Sequence, residues 1–214
     1  MSREGLPTIL GLTAFGFLMG IVGFQYKAFY LLALCGIVLL FALFSIYFFR
    51  DPKRVPPDRS NCVVSPADGK VIAVDVVQEK EFLDGEAKRI AIFLSLLDVH
   101  VNYVPFKGTV DYIRYNRGKF FRADRPEASV HNANILTGLE TVYGKIAFKQ
   151  STGMIARRIV NYLKLDDEVG TGQKFGIIKF GSRMEVYLPP TAVLTTQVGD
   201  NVRAGESIIA EFHV

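Results

Sequence analysis

Cysteine and histidine are scarce in this chain, two and three among 214 residues. Cys35 lies inside an apolar run and Cys62 well downstream, so the sequence carries no disulfide framework. Nothing in it has the spacing of a metal-binding cluster. Charge is missing in two places as well. No Asp, Glu, Lys or Arg occurs in residues 7–24 or 28–49, runs of 18 and 22 residues. About 20 residues are needed to cross hydrocarbon as helix, so the first run is marginal and the second sufficient. A signal peptide would offer a basic start and a cleavage site, but here Arg3 is offset by Glu4. The two runs follow each other through Gln25, Tyr26 and Lys27, which favours a retained helical hairpin.

The charge that is present is unevenly placed. Residues 1–60 carry six basic and three acidic side chains, a net +3; residues 61–214 carry nineteen and eighteen, a net +1. The basic excess is therefore juxtamembrane, around Arg50, Lys53 and Arg54, where it marks the cytoplasmic side and can meet anionic headgroups. Lys27 in the turn points the other way. A nucleic-acid binder would want its basic face on the folded domain, so no nucleic-acid partner is expected.

Three regions follow: a membrane-anchoring hairpin over 1–49, a basic linker over 50–60 stiffened by Pro52, Pro56 and Pro57, and a domain over 61–214. That domain opens with two short strands about the turn Ala67-Asp68-Gly69-Lys70. Further strands are expected over 90–97, 99–104, 109–115, 142–150, 175–180 and 183–188, with Met184, Val186 and Leu188 on one face. Residues 118–134 lack periodicity and read as a long loop, a feature that is commonly functional. Ile155, Ile159 and Leu163 predict a short helix over 152–163. The tail, with its Gly199-Asp200 and Ala204-Gly205-Glu206 turns, echoes the opening, and the two ends can pair across the sheet. The expected class is mainly β (α+β), with short strands in a barrel or sandwich resembling biotinyl/lipoyl-like elements, preceded by the helical hairpin.

Taken singly, the candidate chemical residues are ambiguous. Asp98 and His100 are two apart and would share one side of a strand, able to converge on a reacting group; a strand-end histidine bonded in the core is the plainer reading. Asp68 sits where a turn would want it. Ser182 follows Gly181 without the Gly-x-Ser-x-Gly elbow, and spacing alone does not make it a nucleophile. His213, next to the C-terminus, and His131 carry little.

Five stretches in order change that: Phe48-Phe49-Arg50-Asp51-Pro52, Ser65-Pro66-Ala67-Asp68-Gly69-Lys70-Val71, Asp98-Val99-His100-Val101-Asn102, Ala156-Arg157-Arg158-Ile159-Val160, and Phe180-Gly181-Ser182-Arg183-Met184-Glu185-Val186-Tyr187-Leu188-Pro189. Together they closely resemble the short form of the phosphatidylserine decarboxylase family, self-processing pyruvoyl enzymes whose archaeal relatives act on archaetidylserine. The resemblance implies that Ser182 attacks the Gly181 carbonyl and that the ester then eliminates. Ser182 would become a covalent pyruvoyl group, with no metal or external cofactor. The pyruvoyl ketone would form a Schiff base with an aminophospholipid in the bilayer and accept electrons as carbon dioxide leaves. His100 would manage protons, and the two chains made by cleavage would stay associated.

Asp68 matches the Asp of a self-cleavage triad in longer members. The histidine of that triad would fall on Tyr103, leaving either His100 or another base for cleavage. Asp98, Arg157 and Arg158 are the candidate substrate-binding residues. The family's Asn-Glu-Arg-Asn stretch reads Asn132-Ala133-Asn134-Ile135 here. The implied location is the cell membrane, with the catalytic domain on the cytoplasmic side and a homo-oligomer left open. The competing readings are a membrane-tethered biotinyl/lipoyl-like adaptor, for which Lys70 is a poor acceptor site, a pyruvoyl decarboxylase for a soluble amino acid, against which the apolar runs speak, and a purely structural membrane protein.

Overall fold

The computed structural model describes residues 1–154, 158–179 and 181–213, and the chain divides into two compact units, Met1–Pro52 and Lys53–Val214. In the first, a 3-10 turn at Arg3–Gly5 leads into α1 (Leu6–Gln25), and α2 (Phe29–Phe48) returns after Lys27, which adopts φ 53°. Each helix has 20 residues, about 30 Å of axis, the thickness of a hydrocarbon core. The two pack closely because α1 presents small residues: a Cβ on Gly16 would stand 2.8 Å from Leu39 Cδ2. Most large apolar side chains of the hairpin face outward; Phe24 and Phe29 are 81% and 82% exposed. A pair of helices this long and apolar, with lipid-ready surfaces, is suited to membrane anchoring.

The second unit is strand-rich. Its strands are β1 (Cys62–Val64), β2 (Gly69–Glu79), β3 (Gly85–Leu94), β4 (Val101–Tyr103), β5 (Gly108–Asn116), β6 (Asn134–Thr141), β7 (Gly144–Ser151), β8 (Arg158–Asn161), β9 (Glu168–Val169), β10 (Lys174–Lys179), β11 (Ser182–Leu188), β12 (Val193–Leu194), β13 (Asn201–Val202) and β14 (Ile208–Glu211), with one short helix, α3 (Pro126–His131). They form an eight-stranded sheet in the order β13-β2-β3-β11-β7-β6-β5-β9 and two three-stranded sheets, β1-β14-β12 and β4-β10-β8. The first and last strands of the domain pair, Cys62 opposite Glu211, as the echo between opening and tail suggested.

Alternation explains the core. Ile90, Ile92 and Leu94 on β3, Ile146 and Phe148 on β7, and Met184, Val186 and Leu188 on β11 point one way, into a single buried cluster with Phe106, Phe175 and Phe212. Burying side chains of this size contributes roughly 1.5–3 kcal/mol each.

Two expectations need correction. The helix expected over 152–163 is not what forms at its C-terminal half: residues 158–161 make β8, paired with β10 so that Ile159 lies opposite Ile178 and packs on the core. Residues 155–157 lie outside the described residues. The long loop also has more structure than its composition suggests, since it carries α3, closes with a bridge between Lys119 and Asn132, and ends as β6 begins at Asn134.

Candidate active site

β10 belongs to one sheet and β11 to another, and only two residues, 180 and 181, separate them. The chain turns this corner at Gly181, whose φ of 69° lies in the left-handed region. A residue with a Cβ pays about 1–2 kcal/mol there and glycine does not. Ser182 then starts β11 on the core-facing side shared with Met184 and Val186. It is fully buried, and its Oγ has no hydrogen-bond partner among the described residues. An unpaired buried hydroxyl costs about 1–3 kcal/mol, so this is an uncommon arrangement.

His100 comes to the same corner. After β3, the turn from Ser95 to Asp98 is closed by Ser95 N–H donating to Asp98 Oδ2 at 2.7 Å and Asp98 N–H donating to the Ser95 carbonyl at 3.1 Å. The chain then leads into β4 with His100 buried. Its Nδ1 lies 3.0 Å from the Asp98 carbonyl oxygen, and its Nε2 accepts from Gly181 N–H at 3.1 Å. A carbonyl needs a donor and an N–H needs an acceptor, so the ring is the neutral Nδ1–H tautomer with its Nε2 lone pair aimed at the glycine beside Ser182. The carboxylate of Asp98 is thus committed to the turn. What Asp98 offers His100 is its backbone carbonyl.

Asp68 is held elsewhere. Arg54 donates to both its oxygens, at 2.9 and 2.7 Å, and Ala204 N–H to Oδ1 at 2.8 Å, while Arg54 also reaches Glu206 at 3.0 Å. Burial pushes the Asp68 carboxyl above its usual value, against the pull of Ala204 N–H and Arg54. Arg54 is only 10% exposed, which corrects its assignment to a lipid-facing basic cluster. Tyr103 is buried with Val99, Val101 and Ala204. Along residues 99–103 these valines and Tyr103 alternate with His100 and Asn102.

Asn102 and Gln150 form a buried polar layer. Gln150 Nε2 donates to Asn102 Oδ1 at 3.0 Å and to the Val160 carbonyl at 3.3 Å. The Val160 contact fixes which end of the Gln150 amide is nitrogen. Asn102 Nδ2 and Gln150 Oε1, like Ser151 Oγ, are then left buried without partners among the described residues.

Beside the corner is a cavity of about 240 Å³ lined by Phe93, Ser95, Leu96, Arg122, Ala123, Asp124, Met154 and Gly181. Arg122 and Asp124 at its wall are paired at 2.9 Å. Arg158, exposed at the start of β8, lies across from Lys179, two residues before Gly181; Arg157 lies outside the described residues. Asn132 and Asn134 hold the loop: Asn132 accepts from Phe121 N–H at 2.7 Å and donates to the Phe121 and Thr152 carbonyls, and Asn134 donates to the Asn132 carbonyl. His131 is exposed near Phe121.

The opposite face of β11 carries a network that sequence reasoning missed. The fully buried carboxylate of Glu185 accepts from Ser129 Oγ at 2.6 Å, Arg183 Nε at 2.8 Å, Tyr187 Oη at 2.7 Å and Lys149 Nζ at 2.6 Å, with Arg89 at 3.6 Å. Burial alone would raise its pKa, but Lys149, Arg183 and Ser129 prevail and hold it at about 2. Burial and the Glu185 charge push the Tyr187 phenol up. Through Ser129 and the Arg125 carbonyl, which accepts from Arg183 at 3.4 Å, this network ties α3 and the cavity loop to the strand that Ser182 begins. The signal was the alternation Arg183-x-Glu185-x-Tyr187 on the other face of the strand expected to carry Met184, Val186 and Leu188 together.

Comparison with known proteins gives the family. The family model described as phosphatidylserine decarboxylase matches residues 41–210. A phosphatidylserine decarboxylase proenzyme of Desulfotalea psychrophila is 43% identical over 212 residues, 99% of this chain and 96% of the relative. Proteins of the same name from Pelobacter propionicus and Chlorobium chlorochromatii are 42% and 41% identical, covering 96% and 99% of this chain and 94% and 100% of their own lengths.

Proposed function

This chain belongs to the phosphatidylserine decarboxylase family, and on that premise we propose that it is a membrane-anchored proenzyme that cuts itself between Gly181 and Ser182 and then converts phosphatidylserine to phosphatidylethanolamine. The observation that carries the assignment of the site is the buried Ser182 Oγ, unpartnered among the described residues, next to a left-handed glycine whose N–H is held by His100. Ser182 Oγ attacks the Gly181 carbonyl carbon, the C–N bond breaks, and the hydroxyl proton passes to the freed amine, leaving an ester. Elimination across Cα–Cβ of Ser182 expels the Gly181 carboxylate. The dehydroalanine that remains tautomerises and takes up water, releasing ammonia.

Ser182 fits as the precursor, because its oxygen gives up no hydrogen bond to any described residue when it reacts. The pyruvoyl carbonyl so formed supplies the electron sink that decarboxylation of an amine substrate needs. His100 Nε2 is a proton acceptor at the corner, with its orientation set through Nδ1 by the Asp98 carbonyl. Asp68 acts structurally in this reading, as the anchor for Arg54. Arg122 and Arg158 are the candidates for the lipid phosphate.

The fragment 182–214 contributes β11, β12, β13 and β14. β11 pairs with β3 and β7, β14 with β1, and β13 with β2. Those pairings, with the ion pairs of Glu185 to Lys149 and Arg89, hold the two chains together after cleavage. Arg50 and Lys53 beyond the hairpin support a cytoplasmic position for the domain. Purified wild type should give a fragment of 33 residues, 182–214, without a free N-terminal amine, and should release carbon dioxide from phosphatidylserine. Ser182→Ala should stay intact and inactive. A wild type that is folded but uncut would overturn the reading.

A further inference from the structure

Gly181 is held at both of its polar ends. Its N–H goes to His100, and its carbonyl oxygen, which belongs to the Gly181–Ser182 bond, lies against Gly153. A Cβ built on Gly153 would stand 2.3 Å from that oxygen, 3.2 Å from the carbonyl carbon and 3.3 Å from Ala123 Cβ. Gly153 is buried and is not among the glycines with positive φ. Its backbone conformation is therefore open to alanine, and what excludes a side chain is the space taken by the carbonyl.

We propose that Gly153 is a positioning residue for self-cleavage: by lacking a side chain it seats the Gly181 carbonyl so that its carbon is presented to Ser182 Oγ. This rests on the reading of Gly181–Ser182 as the cleaved bond. Carbon and oxygen in ordinary contact stand about 3.3–3.6 Å apart, so a methyl at 2.3 Å displaces the carbonyl by about 1 Å. A misplacement of that size costs about 10²-fold in rate. The step affected is the acyl shift, in which Oγ–C forms, C–N breaks and the proton moves from oxygen to nitrogen.

The test follows full-length chain made by cell-free synthesis into lipid nanodiscs, with cleavage read on gels over time and folding read by thermal melting. Wild type should cleave, and Gly153→Ala should cleave about 100-fold more slowly while melting like Ser182→Ala. Hydroxylamine separates this role from a merely structural one. It attacks an accumulated ester at the Gly181 carbonyl, leaving a hydroxamate there and a new chain that starts at Ser182 with its amine and hydroxyl free. Gly153→Ala should release no such fragment, since its block precedes the ester. Should that variant fold poorly, adding Ala123→Gly removes the 3.3 Å contact and leaves the 2.3 Å one; the double variant should then fold and still cleave about 100-fold more slowly than wild type. Cleavage of either variant at the wild-type rate, prompt release by hydroxylamine, or failure of both to fold overturns the proposal. An uncut wild type takes down the cleavage reading and this inference together, whereas a cut wild type with an equally fast Gly153→Ala takes down this inference alone.

Discussion

Replacing Glu185 by glutamine removes one negative charge from a site with no access to water and leaves Lys149, Arg183 and Arg89 facing an amide. Two routes give the size of the effect. Removing one partner of a buried ion pair costs about 3–5 kcal/mol. Independently, a carboxyl held at about 2 instead of its usual 4.5 represents about 3 kcal/mol, at roughly 1.4 kcal/mol for each pH unit. The folded-state value is the lower one, so this contribution is fully present above pH 4.5 and is lost as the pH falls toward 2. For a domain of this size about 3–5 kcal/mol lowers Tm by roughly 6–20 °C. The assay is thermal unfolding in the Ser182→Ala background, where one intact chain keeps the transition simple. Near neutral pH Glu185→Gln should melt lower by that amount, and between pH 4.5 and 2 it should lack the wild-type slope that Glu185 contributes. A loss below about 1 kcal/mol, or an unchanged acid slope, would refute the account of Glu185 as the buried anion that ties the α3 loop to β11.

Three other outcomes are expected. Arg54→Met leaves Asp68 buried and unpaired by its guanidinium; with side chains 10% and 15% exposed the loss should be about 2–4 kcal/mol. A chain begun at Asn61, which lacks Arg54, should melt earlier than one begun at Lys53, and equal melting would show that the Arg54–Asp68 contact contributes nothing. His100→Gln retains an acceptor for Gly181 N–H but no base, so carbon dioxide release per cleaved chain should fall by about 10²–10⁴-fold; unchanged turnover in the cleaved fraction would remove His100 from the chemistry.

The hairpin was legible because composition alone decides it: two charge-free runs have few other uses. The strands about Asp68-Gly69 and the face of Met184, Val186 and Leu188 were legible from turn chemistry and period-two patterning, which are local. The segment around Ile159 was misread because Ile155, Ile159 and Leu163 also satisfy a helical period, and what decides for strand is pairing with β10, a partner in another part of the chain. The grip of Arg54 on Asp68 and Glu206 spans 14 and 152 residues of sequence, so no local pattern announces it. Asp98 and His100 did prove to be linked, but through the Asp98 backbone carbonyl, an atom every residue has. Gly153 was invisible for the same reason, since its role is the absence of a side chain beside a carbonyl far along the chain.

Intact-mass measurement on a preparation that is decarboxylating phosphatidylserine tests the central claim most directly. The account predicts two chains, one ending at Gly181 and one comprising residues 182–214 that is lighter than the corresponding serine peptide by one ammonia, its amine-bearing carbon having become a ketone and its CH2OH a methyl. A single unbroken chain of 214 residues in a preparation that still releases carbon dioxide would contradict it.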